Sequence, residues 1–237
     1  KGARGTALLL HGYAAEKSVM LRAAAALRRL GWSCLLVDFR GVGGSDGDET
    51  NLGWKEAEDV VAALGHARTL LPGKPLVVYA VSMGAAAALR AAGPLGAAPD
   101  ALLLESPFDT LEHTTRRRFA LMGLPSWPFT DALIFWGGRH AGFDAAEHAP
   151  MNYAAQVRVP TLILHGALDR YVAEEDAGRI AASLGRHGRL VVFPKSGHGG
   201  FLEGDFQRGK EAVTTLLKPL RASAPGRGGR PGGRGPR

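Results

Sequence analysis

The sequence contains a single cysteine, Cys34, among 237 residues. One thiol excludes an intrachain disulfide and a cysteine-based metal cluster. Cys34 begins the apolar run 34–37, which predicts a small buried thiol. The chain also lacks any apolar run of about 18 residues, the length that a membrane-spanning helix needs. With 46% hydrophobic residues, it is long enough for one large α/β domain with a sizeable core.

Motifs for nucleotide and metal binding are also missing. The glycine-rich loop 41–47 has no Lys-Ser or Lys-Thr pair of a P-loop, and its glycine spacing does not give the dinucleotide pattern G-x-G-x-x-G. His, Asp and Glu do not cluster at a spacing typical of metal ligands. We therefore expect no nucleotide, no metal ion and no other cofactor.

Residues 221–237 contain five arginines and no acidic residue. Without this segment, the formal net charge falls from +7 to +2. Its Pro/Gly/Arg-rich composition cannot bury a core, which predicts a disordered tail after a folded domain of residues 1–220. A solvated tail is favoured over contact with nucleic acid.

The chain begins at Lys1 without a methionine and enters an apolar segment almost at once. This suggests that preceding residues are missing, so a signal or anchor before Lys1 stays open. A cytoplasmic location is the expectation, and the sequence predicts no oligomeric state.

Apolar segments alternate with helical patterns along most of the chain. The predicted strands are 6–10, 32–37, 76–81, 101–104, 160–164 and 190–193, and the predicted helices include 18–30, 52–71, 173–184 and 207–217. This alternation predicts an α/β fold with a mostly parallel, doubly wound sheet and helices on both faces. Residues 110–156 break the rhythm and predict a small, helical, lid-like insertion.

Ser82 stands where the apolar segment 76–81 passes directly into an alanine-rich helical run. A serine at such a junction is lifted clear of the sheet, and the N–H of Met83 lies at the helix N-terminus, where it would stabilise an oxyanion. An ordinary capping serine is the alternative interpretation.

The carboxyl ends of parallel strands meet at one edge of a sheet, and the functional residues of such proteins commonly lie in the loops at this edge. Ser82, Asp169 and His198 all follow strands, in the order that supplies a nucleophile, an acid and a base. Glu105 is the alternative carboxylate. Three other polar residues at strand ends are interpreted as structural: Asp38 as a loop organiser paired with Arg40, and His11 and His165 as holding loops by hydrogen bonds.

Five segments together resemble the α/β-hydrolase fold family of serine hydrolases. They are His11-Gly12-Tyr13, residues 38–45, Val81-Ser82-Met83-Gly84, residues 165–169 and Ser196-Gly197-His198-Gly199. Within that family the chain looks most like the short-lidded branch that includes monoglyceride-lipase-like, serine-aminopeptidase-like and acyl-thioesterase relatives.

The resemblance implies a role for each of these residues. Ser82 would be the nucleophile, His198 the base and Asp169 the acid, with the backbone N–H groups of Tyr13 and Met83 as the oxyanion hole. One departure is Ala80, which replaces the first glycine of the family's G-x-S-x-G pattern. We expect a modest adjustment of geometry there.

The expected function is metal-independent cleavage of an ester, thioester or amide through an acyl-enzyme, with a small-molecule acyl substrate. A binding protein that keeps the fold without turnover and interacts through its Arg/Gly tail is the alternative. Four aromatic residues of the insertion predict an apolar substrate wall, with core packing as the other interpretation: Trp127, Phe129, Phe135 and Trp136. The adjacent residues Arg116, Arg117 and Arg118 could attract an anionic group or form a solvated charge run.

Overall fold

Six parallel strands form the sheet in the computed structural model, which describes residues 2–202 and 206–220. The strands are Thr6–Leu10 (β1), Ser33–Val37 (β2), Leu76–Val81 (β3), Ala101–Glu105 (β4), Thr161–Gly166 (β5) and Gly188–Phe193 (β6). Their order across the sheet is β2-β1-β3-β4-β5-β6. Every neighbouring pair is parallel. The predicted parallel sheet is confirmed.

Helices connect the strands and cover both faces of the sheet. They are Leu21–Arg29 (α1), Glu56–Leu70 (α2), Met83–Ala92 (α3), Leu111–Leu121 (α4), Phe129–Ala141 (α5), Pro150–Ala154 (α6), Glu174–Leu184 (α7) and Phe206–Leu217 (α8). Short 3-10 helices cover Lys17–Met20, Ala145–Glu147 and Gly185–His187.

Alternate residues of each strand enter two separate cores. In β1, Leu8 and Leu10 pack in the core under α2, α3 and α7, whereas Ala7 and Leu9 pack in the core under α1 and α8. Such alternation is the period of a β-strand, and both faces are apolar because both are covered. This arrangement confirms the doubly wound architecture.

Two helices begin later than their apolar patterns predict. Helix α2 starts at Glu56 instead of residue 52, because Leu52 and Gly53 have φ of 54° and 106° and cannot lie in a helix. The Glu56 carboxylate accepts the N–H groups of Asn51 at 2.7 Å and Gly53 at 2.9 Å, which fixes this turn. The predicted helix 18–30 is divided into the 3-10 helix Lys17–Met20 and α1.

The predicted insertion contains α4, α5 and α6. Helices α4 and α5 join through a small cluster of Leu111, Ile134 and Ala145. In α6, by contrast, Tyr153 and Ala154 belong to the main core beside the sheet. The part of the insertion that stands apart from that core is therefore the pair α4 and α5.

Three expectations concern the remainder of the chain. The predicted tail 221–237 lies outside the described residues. Within the described residues, the helices fall short of the length and apolar character that crossing a membrane requires. The Cys34 thiol is half-buried beside the Ala24 carbonyl, and burial raises its pKa to about 11.

Candidate active site

Ser82 occupies a strained turn between β3 and α3, with φ 51° and ψ −111°. Positive φ is uncommon for a residue with a side chain and is maintained only where the surrounding structure imposes it. Here the Ser82 N–H donates to the carbonyl of Glu105 at 2.9 Å, which ties the turn to β4. The Ser82 side chain thereby projects at the carboxyl edge of the sheet.

The close approach at this turn occurs at Gly84 and not at Ala80. A β-carbon on Gly84 would lie 2.6 Å from the carbonyl oxygen of His11 and 2.9 Å from that of Leu10. Ala80 is fully buried on β3 as part of the main core. The chain therefore keeps glycine at the position of this close backbone approach and departs from the family pattern at Ala80.

His198 and Asp169 are joined directly at the ends of β6 and β5. The Asp169 Oδ2 accepts a hydrogen bond from His198 Nδ1 at 2.7 Å, and Oδ1 accepts the N–H groups of Tyr171 at 2.9 Å and Val172 at 3.1 Å. Burial alone would raise the pKa of the Asp169 carboxyl, but the His198 bond and these N–H groups outweigh it and lower the pKa. Asp169 is therefore an ionised acceptor, which places the proton of His198 on Nδ1.

Ser82 and His198 line one cavity of about 520 Å³, together with Gly12, Tyr13 and Glu105 among others. Their side chains form no hydrogen bond with each other among the described residues. Catalytic hydrogen bonds are often long in the absence of substrate and tighten when it binds. Because Nδ1 of His198 is bound to Asp169, Nε2 is the ring nitrogen that is available to act as a base in the shared cavity.

Met83 follows Ser82 in the chain, and Tyr13 lines both cavities that Ser82 lines. Met83 is the first residue of α3, where a backbone N–H has no acceptor within its own helix. Both residues line a second cavity of about 320 Å³ that also contains Ser82. Their placement fits the pair of oxyanion donors expected from the resemblance.

His11 fixes the peptide between Gly12 and Tyr13. The N–H of Phe39 donates to Nε2 of His11 at 3.2 Å, so Nδ1 carries the ring proton and donates to the Gly12 carbonyl at 2.8 Å. The C=O and N–H of a trans peptide point in opposite directions. Holding the Gly12 carbonyl therefore sets the direction of the Tyr13 N–H, and His11 has the loop-holding role predicted for it.

Glu105, the alternative carboxylate, holds the loop that follows His198. Its side chain accepts the Tyr79 hydroxyl and the N–H groups of Gly200 at 2.8 Å and Phe201 at 3.2 Å. The carboxylate that contacts the His198 ring is that of Asp169. Glu105 thus positions the segment that carries His198.

Two predicted structural interactions differ in the structure. Asp38 pairs with Lys17 and not with Arg40, whose Nη2 instead binds Asp59 Oδ1 at 2.7 Å. Burial opposes ionisation of Asp38, but hydrogen bonds from Gly44 and Lys17 lower its pKa to about 2. His165 is fully buried, and neither of its ring nitrogens has a hydrogen-bond partner among the described residues, so it does not hold a loop in that way.

The four aromatic residues expected at the substrate wall are absent from the linings of both cavities that contain Ser82, as the described residues define them. Trp127 is 77% exposed and Trp136 is 66% exposed. Phe135 lines a separate cavity on α5, and Phe129 is exposed. For Phe129, Phe135 and Trp136 the reason is the phase of α5, which buries Thr130, Ile134, Gly138 and Ala141 instead, whereas Trp127 precedes this helix.

The smaller cavity beside Ser82 is instead lined by residues of α4 and of several other segments. Its apolar lining comprises Leu52, Met83, Phe108, Leu111, Phe119, Met122 and Leu133. These residues were not predicted from the sequence as the substrate wall. The recurrence of apolar residues at 111, 119 and 122 on one helical face is the signal that could have found them.

One group of possible metal ligands occurs outside this site. Single donor atoms of Asp109, His113 and Asp176 lie within 4.8 Å of one another. Arg179 already bridges the two carboxylates, with Nε 2.6 Å from Asp109 Oδ2 and Nη2 paired with Asp176. This cluster therefore links the start of α4 to α7 and gives no support for a metal ion.

The sheet and the strand-end residues define the α/β-hydrolase class of serine hydrolases. The family model described as serine aminopeptidase, S33, matches residues 1–134. The chain belongs to this family.

Curated relatives are moderately similar in sequence. The uncharacterized protein Rv2307c of Mycobacterium tuberculosis is 31% identical over 202 residues, which cover 83% of this chain and 64% of that protein. Lysophosphatidylserine lipase ABHD12 of Danio rerio is 28% identical over 233 residues, covering 92% of this chain and 58% of that protein. The chain spans 58–64% of the length of these relatives and of protein YqkD of Bacillus subtilis.

Solved structures share the fold. An esterase of Pyrococcus furiosus, Pf2001, superposes with a TM-score of 0.76 at 24% identity, over 93% of this chain and 84% of that chain. A serine hydrolase without a lid from Xanthomonas campestris, XC6422, superposes with a TM-score of 0.64 at 22% identity, over 95% and 86% of the two chains.

Proposed function

We propose that the chain hydrolyses a carboxylic ester, thioester or amide through an acyl-enzyme on Ser82. The observation that carries the proposal is the 2.7 Å bond between Asp169 and His198, on the edge of the sheet where the strained Ser82 stands. One relative is a lysophosphatidylserine lipase, which favours an ester among the three substrate classes.

The proposed reaction begins with attack of Ser82 Oγ on the acyl carbonyl, while Nε2 of His198 takes the hydroxyl proton. The N–H groups of Met83 and Tyr13 stabilise the oxyanion, and Asp169 stabilises the imidazolium. As the bond from the acyl carbon to the leaving group breaks, His198 passes its proton to that group. Water then attacks the acyl-enzyme, gives its proton to His198 and releases the acid, and the proton returns to Ser82.

A fluorophosphonate probe tests this proposal, since it labels an activated serine. The wild-type protein should be labelled, and Ser82→Ala should abolish both labelling and hydrolysis of a nitrophenyl ester. Ser106→Ala is the matched control, because Ser106 also follows a strand with positive φ and is buried. A folded but unlabelled wild type, or equal labelling of Ser82→Ala, would overturn the proposal and favour a non-catalytic binding protein.

A further inference from the structure

Three consecutive arginines on α4 have different surroundings. Arg116 binds Glu112 at 2.9 Å and Asp131 at 2.8 Å, and Arg117 Nε donates to the Arg170 carbonyl at 3.1 Å. Arg118 has no carboxylate partner among the described residues. Its guanidinium carbon lies 5.8 Å from the ring centre of Tyr13 and 5.1 Å from that of Tyr171. Arg118 is therefore a half-buried cation that packs against two aromatic rings and has no neutralising carboxylate within the described ranges 2–202 and 206–220.

Arg118 also stands at the junction of the two cavities beside Ser82. Both cavities are lined by Tyr13, Ser82 and Arg118. Tyr171, which packs against Arg118, also contacts the His198 ring with its centre 5.3 Å away. The guanidinium thus borders the space in which a substrate bound at Ser82 would lie.

The position of His198 indicates which cavity would receive each half of an ester. A general acid must reach the leaving-group oxygen, and His198 lines the larger cavity and not the smaller one. The leaving group therefore belongs in the larger cavity. The smaller cavity, which has an apolar lining, then receives the acyl chain.

Among the residues that the structure describes, no carboxylate pairs with Arg118 at the larger cavity. Two carboxylates of the described residues lie near this cavity, and both are already engaged: Glu105 accepts two backbone N–H groups and the Tyr79 hydroxyl, and Asp169 accepts His198. An arginine presents a planar fork of N–H donors that matches a carboxylate or phosphate. Stacking on Tyr171 limits the orientations of that fork and reduces the entropy lost on binding.

We propose that Arg118 is a specificity-determining residue that binds a carboxylate or phosphate on the leaving group of the ester. This inference rests on the proposed function for the identity of the site. It assigns the anionic end of the substrate to the larger cavity and the acyl chain to the smaller one.

The test compares three hexanoyl esters that differ in the leaving group: 4-hydroxybenzoate, 4-hydroxyphenyl phosphate and the neutral 4-hydroxybenzamide. The measured quantity is the ratio of kcat/KM for each anionic ester to that for the neutral ester. Arg118→Gln should lower this ratio about 10–100-fold for at least one anion, the loss expected when a charged hydrogen bond is removed. Arg118→Lys should give an intermediate ratio, and Arg117→Gln should leave it unchanged. The preferred anion identifies a carboxylate or a phosphate substrate.

A binding arm separates this inference from the proposed function. Ser82→Ala should leave the esters uncleaved, so calorimetry with this variant measures their binding. It should bind the anionic esters more tightly than the neutral ester. The double variant with Arg118→Gln should lose that preference. If the wild type and Arg118→Gln gave equal ratios of kcat/KM for the anionic and neutral esters, and still cleaved the neutral ester, the role of Arg118 would be overturned and the proposed function would stand. If no ester is cleaved and no serine is labelled, the proposed function fails, and the binding arm still decides whether Arg118 selects an anion.

Discussion

Asp169 and His198 form a 2.7 Å hydrogen bond in which the carboxylate is fixed from both sides. Oδ2 holds Nδ1 of the ring, and Oδ1 accepts the N–H groups of Tyr171 and Val172. An ionised carboxylate can only accept hydrogen bonds, so it selects the tautomer of His198 with its proton on Nδ1. One side chain therefore sets both the orientation of the imidazole and the identity of its basic nitrogen.

Asp169→Asn should reduce kcat for a nitrophenyl ester by about 10⁴-fold, because an amide favours the wrong tautomer of the histidine. Circular dichroism should show an unchanged fold. The control is Asp176→Asn, since Asp176 caps α7 through the Ala173 N–H at 2.9 Å and does not contact His198. That variant should lose about 1 kcal/mol of stability and keep its kcat. Equal loss of activity in the two variants would exclude the role assigned to Asp169.

His11→Phe tests whether the imidazole orients the Tyr13 N–H. The ring remains large enough to pack on Phe39, but the hydrogen bonds to the Gly12 carbonyl and the Phe39 N–H are lost. We expect kcat to fall by about 10–100-fold with little change in KM, since a misplaced oxyanion donor weakens binding of the transition state alone. Steady-state kinetics on a saturable ester measures both constants.

His165→Leu is the comparison for that variant. His165 is equally buried, and burial lowers its pKa, but its ring nitrogens have no hydrogen-bond partner among the described residues. Replacing a buried and unpaired polar side chain by an apolar one should leave the free energy of unfolding unchanged or raise it. The kcat should be retained. If both variants lost kcat alike, burial of a histidine rather than orientation of Tyr13 would explain the effect.

The edge of the sheet that carries the candidate site was predictable because its determinants are local. Short apolar segments followed by polar residues predicted Ser82, Asp169 and His198 at strand ends. The topology rule for parallel sheets then brings such ends to one edge. The structure places these three residues there, although their catalytic roles stay proposals.

Side-chain partners and cavity walls could not be predicted in the same way. Asp38 binds Lys17, twenty-one positions away, and not Arg40, two positions away, because the 3-10 helix before α1 meets the loop after β2 in space. Trp136 on α5 is 66% exposed and Met122, just after α4, is 61% exposed, but only Met122 lines the smaller cavity beside Ser82 as the described residues define it. Which side chains pair and which line a cavity depends on how the helices and loops pack against one another, and local sequence patterns do not determine that packing.

Met122→Asp should shorten the range of acyl chains that the protein accepts. Met122 lines the apolar cavity beside Ser82, and a carboxylate there would make burial of a long acyl chain unfavourable. We expect kcat/KM for a nitrophenyl octanoate to fall about tenfold or more, with little change for the acetate. Trp136→Ala and Leu121→Asp are controls because these side chains do not line that cavity among the described residues. A changed chain-length profile in Trp136→Ala would restore the aromatic wall first expected from the sequence.

His148 should make the stability of the fold depend on pH. It lies among the rings of Trp54, Phe108, Phe143 and Tyr153. Its Nε2–H donates to the Leu52 carbonyl at 2.9 Å, and its Nδ1 accepts the Tyr153 hydroxyl at 3.1 Å. Burial lowers the pKa of His148 to about 4, so the ring is neutral in the folded protein. This neutral ring holds Leu52, which lines the proposed acyl cavity.

In the unfolded chain the pKa of His148 returns to about 6.5, so the unfolded state binds the proton first as the pH falls. The stabilising contribution is therefore fully present above pH ~6.5 and is lost between pH ~6.5 and ~4, by roughly 2–4 kcal/mol. Urea unfolding of the wild type at several pH values in this range should show that the free energy of unfolding falls as the pH falls. His148→Gln keeps a donor for Leu52 but cannot titrate, so its slope should be smaller, while the exposed control His66→Gln should retain the wild-type slope. Equal slopes in wild type and His148→Gln would show that another group controls the acid sensitivity.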